Sequence, residues 1–313
     1  MTTGRLLYLA WYQPRGWLQR SWREGGPVAQ WITRRGRLEM IAAARLLPPL
    51  RAPAPDAPEV NYLTGRRFWF QTAFCHWSLC RQAGRTMRAV FWDDGTFAAE
   101  QAAEAGRLFP GSRVVRAPEI EAGLERNLPA VRFPVLRRRR LEYPNLRKIT
   151  DVHAGAAGWR LVLDSDLLFF RRPDLLLRWL AAPDRPLHMT DVRDAYGYSA
   201  EFLATLAGRP MPHRLNVGLC GLRSDELDWE RLESWCRRLQ EAEGTSYYQE
   251  QALVALMLAG RECAVAPARD YLLMPSEAEA RQPAAVMHHY VDLSKRGYFR
   301  HAWRRVRDPL LRA

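Results

Sequence analysis

From Asn61 onward, short apolar runs without polar alternation take turns with longer amphipathic stretches. Strands of the first kind suit a sheet buried on both faces, and the alternation predicts helices packed against it. The spacing predicts strands over 67–70, 87–92, 112–116, 161–163, 187–190, 215–222, 264–266 and 271–274, with 284–290 leading into His288-His289. Helices are predicted over 73–83 with Gly84 as the stop, over 97–108 capped by Thr96, and from Pro118 at a first turn. Further helices are expected over 145–156, 173–182, 228–242 and 247–259. The fold class is therefore α/β, with a mostly parallel central sheet flanked by helices. No internal repeat is visible.

One stretch departs from simple alternation. The apolar run 161–163 stops at Asp164-Ser165-Asp166, and a second apolar run, 167–170, follows at once. In open α/β sheets ligands bind just beyond the carboxyl ends of strands, which is where Asp164 falls. In extended chain, residues two apart share a side, so Asp164 and Asp166 can face one cation while Ser165 faces away. Two carboxylates this close repel unless a cation or proton lies between them. A metal site is expected here.

Residues 1–60 read as a separate N-terminal extension before a domain of 61–313. The extension holds Trp11, Trp17, Trp22 and Trp31 among nine arginines and four acids, and it closes on a Pro-rich connector over 47–58. Within it, 38–47 has helical spacing. Two readings stand for residues 1–45: peripheral contact with a membrane surface or anionic polymer, or tryptophans packed on the domain with arginines in water.

The formal charge of +13 and the pI near 10.1 call for anionic partners. Of 47 basic residues only Lys148 and Lys295 are lysines, which differ from arginine as compact point charges on flexible stems. Arg137-Arg138-Arg139-Arg140 is expected to be a solvated or anion-facing patch. No apolar run reaches the ~20 residues that span a bilayer. The first ten residues make too short an apolar core for a signal peptide, so a cytoplasmic location is expected, free or peripheral to the inner face of a membrane. The five cysteines lack paired spacing and read as buried, reduced thiols.

The motifs together resemble a family. Asp164-Ser165-Asp166 after a buried strand is similar to the Asp-x-Asp signature of GT-A (Rossmann-like) glycosyltransferases. His289-Tyr290-Val291-Asp292-Leu293-Ser294-Lys295 resembles the closing His-x5-Lys motif of their glycogenin-like, retaining branch. Asn216 and Gly218 resemble its Asn-x-Gly strand, and Glu250-Gln251 its acidic-Gln pair, all in the family's order.

The resemblance implies a nucleotide-diphosphate sugar as donor, uridine-linked, with Mn²⁺ or Mg²⁺, and a glycan, lipid or protein acceptor. It implies Asp164 touching ribose and metal, Asp166 chelating the metal, His289 as third ligand, and Lys295 on the phosphates with Lys148 near the donor. His288 competes with His289, since a strand would point the two oppositely. Asp93 and Asp94, at the end of 87–92, either hydrogen-bond the nucleotide or only make the turn with Gly95. Asn216 either orients the sugar or satisfies backbone groups. Glu250 either holds a sugar or is a helix-surface acid.

Asp292 stands where the branch has Gly, and Arg296-Gly297 replaces its Pro-Trp. A haloacid-dehalogenase-like phosphatase needs a hydroxyl or β-branched residue where Leu168 stands, and near Asp94 it needs a nucleophile where Trp92 stands. A nucleic-acid binder would account for the arginines but leave the buried carboxylates unexplained, so nucleic acid is the weaker partner.

Overall fold

The structure, a computed structural model, describes residues 25–307. Trp11, Trp17 and Trp22 lie outside the described residues. The helices are α1 (Gly26–Arg45), α2 (Trp69–Ala83), α3 (Ala99–Leu108), α4 (Ala117–Asn127), α5 (Pro134–Glu142) and α6 (Arg147–His153). They continue with α7 (Asp174–Ala181), α8 (Ala200–Ala207), α9 (Trp229–Glu243), α10 (Gln249–Met257) and α11 (Glu277–Arg281), and a helical run over 295–307 ends the described residues. The strands are β1 (Glu59–Thr64), β2 (Arg88–Asp93), β3 (Arg113–Val115), β4 (Trp159–Leu163), β5 (Leu167–Phe169), β6 (Leu187–Thr190), β7 (Leu215–Arg223), β8 (Ala264–Ala266), β9 (Tyr271–Leu273) and β10 (Met287–His289).

Seven strands form the central sheet in the order β3-β2-β1-β4-β7-β6-β8. All its pairings are parallel except those of β7, which runs antiparallel between β4 and β6. A second sheet, β5-β10-β9, stands beside it. One apolar cluster joins α1, α2, the β1 and β4 face and the C-terminal run, while a second joins α4, α5, α9 and α10 to β7.

The predicted strand 67–70 is not one. Arg66 and Arg67 lie in a turn, and Trp69 opens α2, where its ring meets Phe91 and Phe97 edge-on. The true strand, β1, sits between β2 and β4. Its polar Asn61 disguised it, yet that side chain is fully buried and satisfied: its amide donates to the Leu161 carbonyl, and its oxygen accepts from the Trp92 indole at 2.9 Å. A central strand tolerates such a residue only with both ends paired.

Thr96 does not cap α3, whose N-cap is Ala98; its hydroxyl donates to Asp94 instead. The four-arginine stretch is no uniform solvated face either. Arg139 and Arg140 are buried in α5, where Arg140 grips Asp151 of α6 at 2.8 Å and Arg139 stacks on Tyr143. Arginine's planar fork explains this, since it holds a buried carboxylate with two parallel bonds.

Two buried histidines make a pH prediction. His76 bonds the Tyr62 hydroxyl at 3.1 Å, and burial holds its pKa down at about 4. His153 bonds Ser224 at 2.8 Å, and burial, helped by Arg160, holds its pKa at about 3. Unfolded, each would take a proton near 6.5. Their stabilising effect is thus complete above that pH and is lost as pH falls towards the folded values. His153→Gln keeps a partner for Ser224 without the titration. The stability difference between wild type and this variant should shrink by about 2 kcal/mol from pH 7 to pH 5, read by urea unfolding.

Candidate functional site

Four elements bring the acidic loop together. β4 ends at Leu163, and the Asp164 amide donates to the Gly218 carbonyl of β7 at 2.8 Å. Ser165 faces away, as alternation requires, and accepts from Thr72 of α2. β5 then pairs antiparallel with β10, placing His289 opposite Leu167, and the Tyr290 amide donates to the Asp166 carbonyl. The backbone therefore fixes His289 beside both carboxylates.

His289 Nε2 lies 3.3 Å from Asp166 Oδ1 and 3.6 Å from Asp164 Oδ2. One ligand atom from each of the three residues falls within 4.8 Å of the others. The His289 ring is buried, and among the described residues neither of its nitrogens has a hydrogen-bond partner. A buried imidazole left in this way is costly unless something else binds it. Gly218 makes the space: a Cβ there would come within 2.3 Å of the His289 ring. Two carboxylate oxygens and one imidazole nitrogen suit a hard to borderline divalent cation. His288 points to the other side, bonded to the Tyr290 hydroxyl and to Glu279, so the pleat leaves His289 alone facing the acids.

Both lysines of the chain reach this point. Lys148, carried by α6, places Nζ 2.7 Å from Asp164 and 3.0 Å from Glu250. Lys295 lies 3.1 Å from Asp166 Oδ2. Burial alone would raise the Asp166 carboxyl, but the His289 ring and the Lys295 ammonium hold it well below the usual carboxylate range. Burial alone would lower Lys148, but Asp164 and Glu250 overcome that and keep it charged. Glu250 is no surface acid: it is buried in the first turn of α10, and burial, with Asp164 adding and Lys148 opposing, brings its pKa to about 7.

Of these residues, Lys148, Asp164, Glu250 and His289 line a cleft of about 660 Å³. Asn216 spends its oxygen on the Gly218 amide and its amide on Asp191 at 2.8 Å, so in this arrangement it satisfies backbone and shapes the cleft wall. Asp191, at the end of β6, also accepts from Gln251. The sequence placed Asp191 at a strand end but gave it no role, although it stands at the sheet rim that drew attention to Asp164. The aromatic part was missed outright: Tyr143, Tyr247 and Tyr248 form the wall above Lys148, with Tyr247 and Tyr248 partly in solvent. Asp292, where a Gly was expected from the resemblance, adopts φ +45°, a left-handed conformation that Asp tolerates better than most residues but at more cost than Gly.

Asp93 and Asp94 sit one strand from the acidic loop, because the Asp94 amide pairs with the Thr64 carbonyl at the end of β1. Asp93 Oδ1 accepts from the Gly95 and Phe97 amides, and Asp94 Oδ1 accepts from Thr96. Both carboxylates thus hold the turn. The turn they hold, Gly95 to Ala98, lines an open surface pocket of about 610 Å³ with Arg66 and Arg67, and neither carboxylate lines the cleft itself.

No family model matches the chain, and no curated protein matches its sequence. Solved structures do. The chain is similar to the galactosyltransferase LgtC in complex with donor and acceptor sugar analogs, at 17% identity and a TM-score of 0.50, over 75% of this chain and 87% of that one. It is also similar to the bifunctional glycosyltransferase WbbM in its apo structure, at 13% identity and a TM-score of 0.50, over 78% of this chain and 47% of that one. The fold is GT-A.

Proposed function

We propose that this chain is a metal-dependent glycosyltransferase that moves a glycosyl group from a nucleotide-diphosphate sugar, uridine-linked, to an acceptor hydroxyl. One observation carries the reading. At a rim of the central sheet, two carboxylates, a buried imidazole that makes no hydrogen bond among the described residues and both lysines of an arginine-filled chain converge on one point. Asp164, Asp166 and His289 would hold Mn²⁺ or Mg²⁺. That ion, when bound, supplies a Lewis acid that neutralises charge on a departing diphosphate.

Lys295 is only partly buried, so its ammonium can leave Asp166 for a phosphate oxygen as negative charge grows there. Lys148 keeps Asp164 and Glu250 from repelling each other and so fixes the floor of the cleft. Glu250, poised near neutrality, can keep or release a proton at the cleft. Asn216, Asp191 and Gln251 form a bonded wall with polar atoms for sugar hydroxyls, and Tyr247 and Tyr248 offer ring faces for an acceptor glycan.

A thermal-shift screen of nucleotide sugars with and without Mn²⁺ tests the donor, since a bound ligand raises stability by mass action. A uridine-diphosphate sugar should raise the melting temperature only when Mn²⁺ is present. No response to any nucleotide sugar would reject the reading. Lys295→Arg keeps the charge but changes reach and shape. It should lower transfer by about tenfold or more, with the melting temperature nearly unchanged, as measured by donor turnover and thermal unfolding.

A further inference from the structure

α1 carries an apolar stripe that nothing among the described residues covers. Its inner face is held firmly: Met40, Ala43 and Ala44 are buried, Gly36 lies against the Phe299 carbonyl, and Arg300 donates to the Ala29 carbonyl and the Thr33 hydroxyl. The outer face should then be polar, as on an ordinary surface helix. Instead Val28, Trp31, Ile32, Leu38 and Leu46 recur there at helical spacing, 43–78% exposed. A single exposed Leu needs no explanation, but four large apolar residues on one face of a rigid helix, with a fifth just past its end, do.

Arginines interrupt and border the stripe. Arg35 lies within it, stacked over Trp31 at 5.6 Å and paired with Glu39. Arg34 and Arg45 stand along one edge. Arg34 is exposed and makes no ion pair among the described residues, while Arg45 meets Glu100 at 3.2 Å. Glu39 is the only acid in the helix. The sequence before it, residues 1–24, adds Trp11, Trp17 and Trp22 with four arginines against one acid. No helix among the described residues is long and apolar enough to cross a membrane.

We propose that this face of α1 docks on an anionic lipid bilayer, lying in the interface with its apolar stripe in the acyl boundary and its arginines among the phosphates. An amphipathic helix binds in this way when apolar burial and attraction to anionic lipid act together. Trp31 is suited to the headgroup level, where an amphipathic ring has one apolar and one wet side. A protein partner would need shape matching across a groove, whereas the stripe is a convex line on one helix with flanking positive charge. At the start of α1, Gly25 lies against the side chain of Arg296, next in the chain to Lys295.

The test is flotation of the full chain with vesicles of neutral phosphatidylcholine alone and with vesicles that also contain phosphatidylglycerol. Wild type should bind the anionic vesicles about tenfold more tightly or better, and added salt should weaken that binding. The double variant Trp31→Ser, Ile32→Ser removes the apolar part and Arg34→Gln, Arg35→Gln the charge. Each should lose most of the binding while melting temperature and donor turnover stay at wild-type values. Equal binding to both vesicle types would overturn the proposal, as would binding that neither variant changes. So would a concentration-dependent dimer that the Trp31, Ile32 variant abolishes without any vesicle binding, because the stripe's partner would then be a second copy.

Discussion

Asp166→Ala should lower metal-dependent sugar transfer by about a thousandfold while the protein stays folded. Asp166 faces the His289 ring with one oxygen and Lys295 with the other. Its loss leaves Asp164 and His289 as an incomplete ligand pair and removes the charge that holds the site together. Losing an electrostatic anchor of a developing charge typically costs two to three orders of magnitude, on the order of 10²–10³ in turnover. The fold has little reason to suffer, because the backbone of the loop is fixed by the Tyr290 amide on the Asp166 carbonyl, which alanine keeps. Two measurements check this. Donor turnover should collapse, and the rise in melting temperature on adding Mn²⁺ should disappear. Turnover within a few-fold of wild type would reject the metal assignment.

Lys148→Met is expected to act on stability as well as activity. The ammonium is buried and lies within 3.0 Å of carboxylates from two different elements, the loop after β4 and the first turn of α10. Without it, the buried Glu250 faces Asp164 at the cleft floor with no cation between them. Breaking a buried ion pair by deleting one partner costs about 3–5 kcal/mol, because the remaining charge has neither water nor a counterion. Glu250 offers an escape: its pKa already stands at about 7, so it can take a proton and relieve part of the repulsion. The loss should therefore be smaller at pH 6 than at pH 8. The double variant Lys148→Met, Glu250→Gln should recover about half of the lost stability, a coupling that the four-protein cycle measures directly. Transfer should remain low in both, since stability and chemistry use the same ammonium. Additive losses in the cycle would show that the two side chains do not form the pair described.

Why some elements were legible and others not follows from what each strand buries. The strands 187–190 and 264–266 were readable to the residue, because Leu187–Thr190 alternates apolar and polar positions and Ala264–Ala266 is a short apolar run, each next to turn residues. β1 was not. Its interior polar residues, Asn61 and Thr64, look like loop in sequence and become core only because Leu161, Trp92 and Thr72 arrive from elsewhere to bond them. The arginine run of α5 failed for the same reason, since nothing local announces that Asp151 and Gln249 wait for Arg140 and Arg139.

By itself, the sequence determined which chemistry the protein carries. Asp-Ser-Asp after a buried run, paired histidines late in the chain and two lone lysines specify ligand and charge types, and residue identity alone sets those properties. Tertiary structure decided their partners. Only the pairing of β5 with β10 chooses His289 over His288, only Gly218 makes room for the ring, and only α6 brings Lys148 between Asp164 and Glu250. Distance along the chain says nothing about distance in space once strands cross over, and both electrostatics and metal binding act through space.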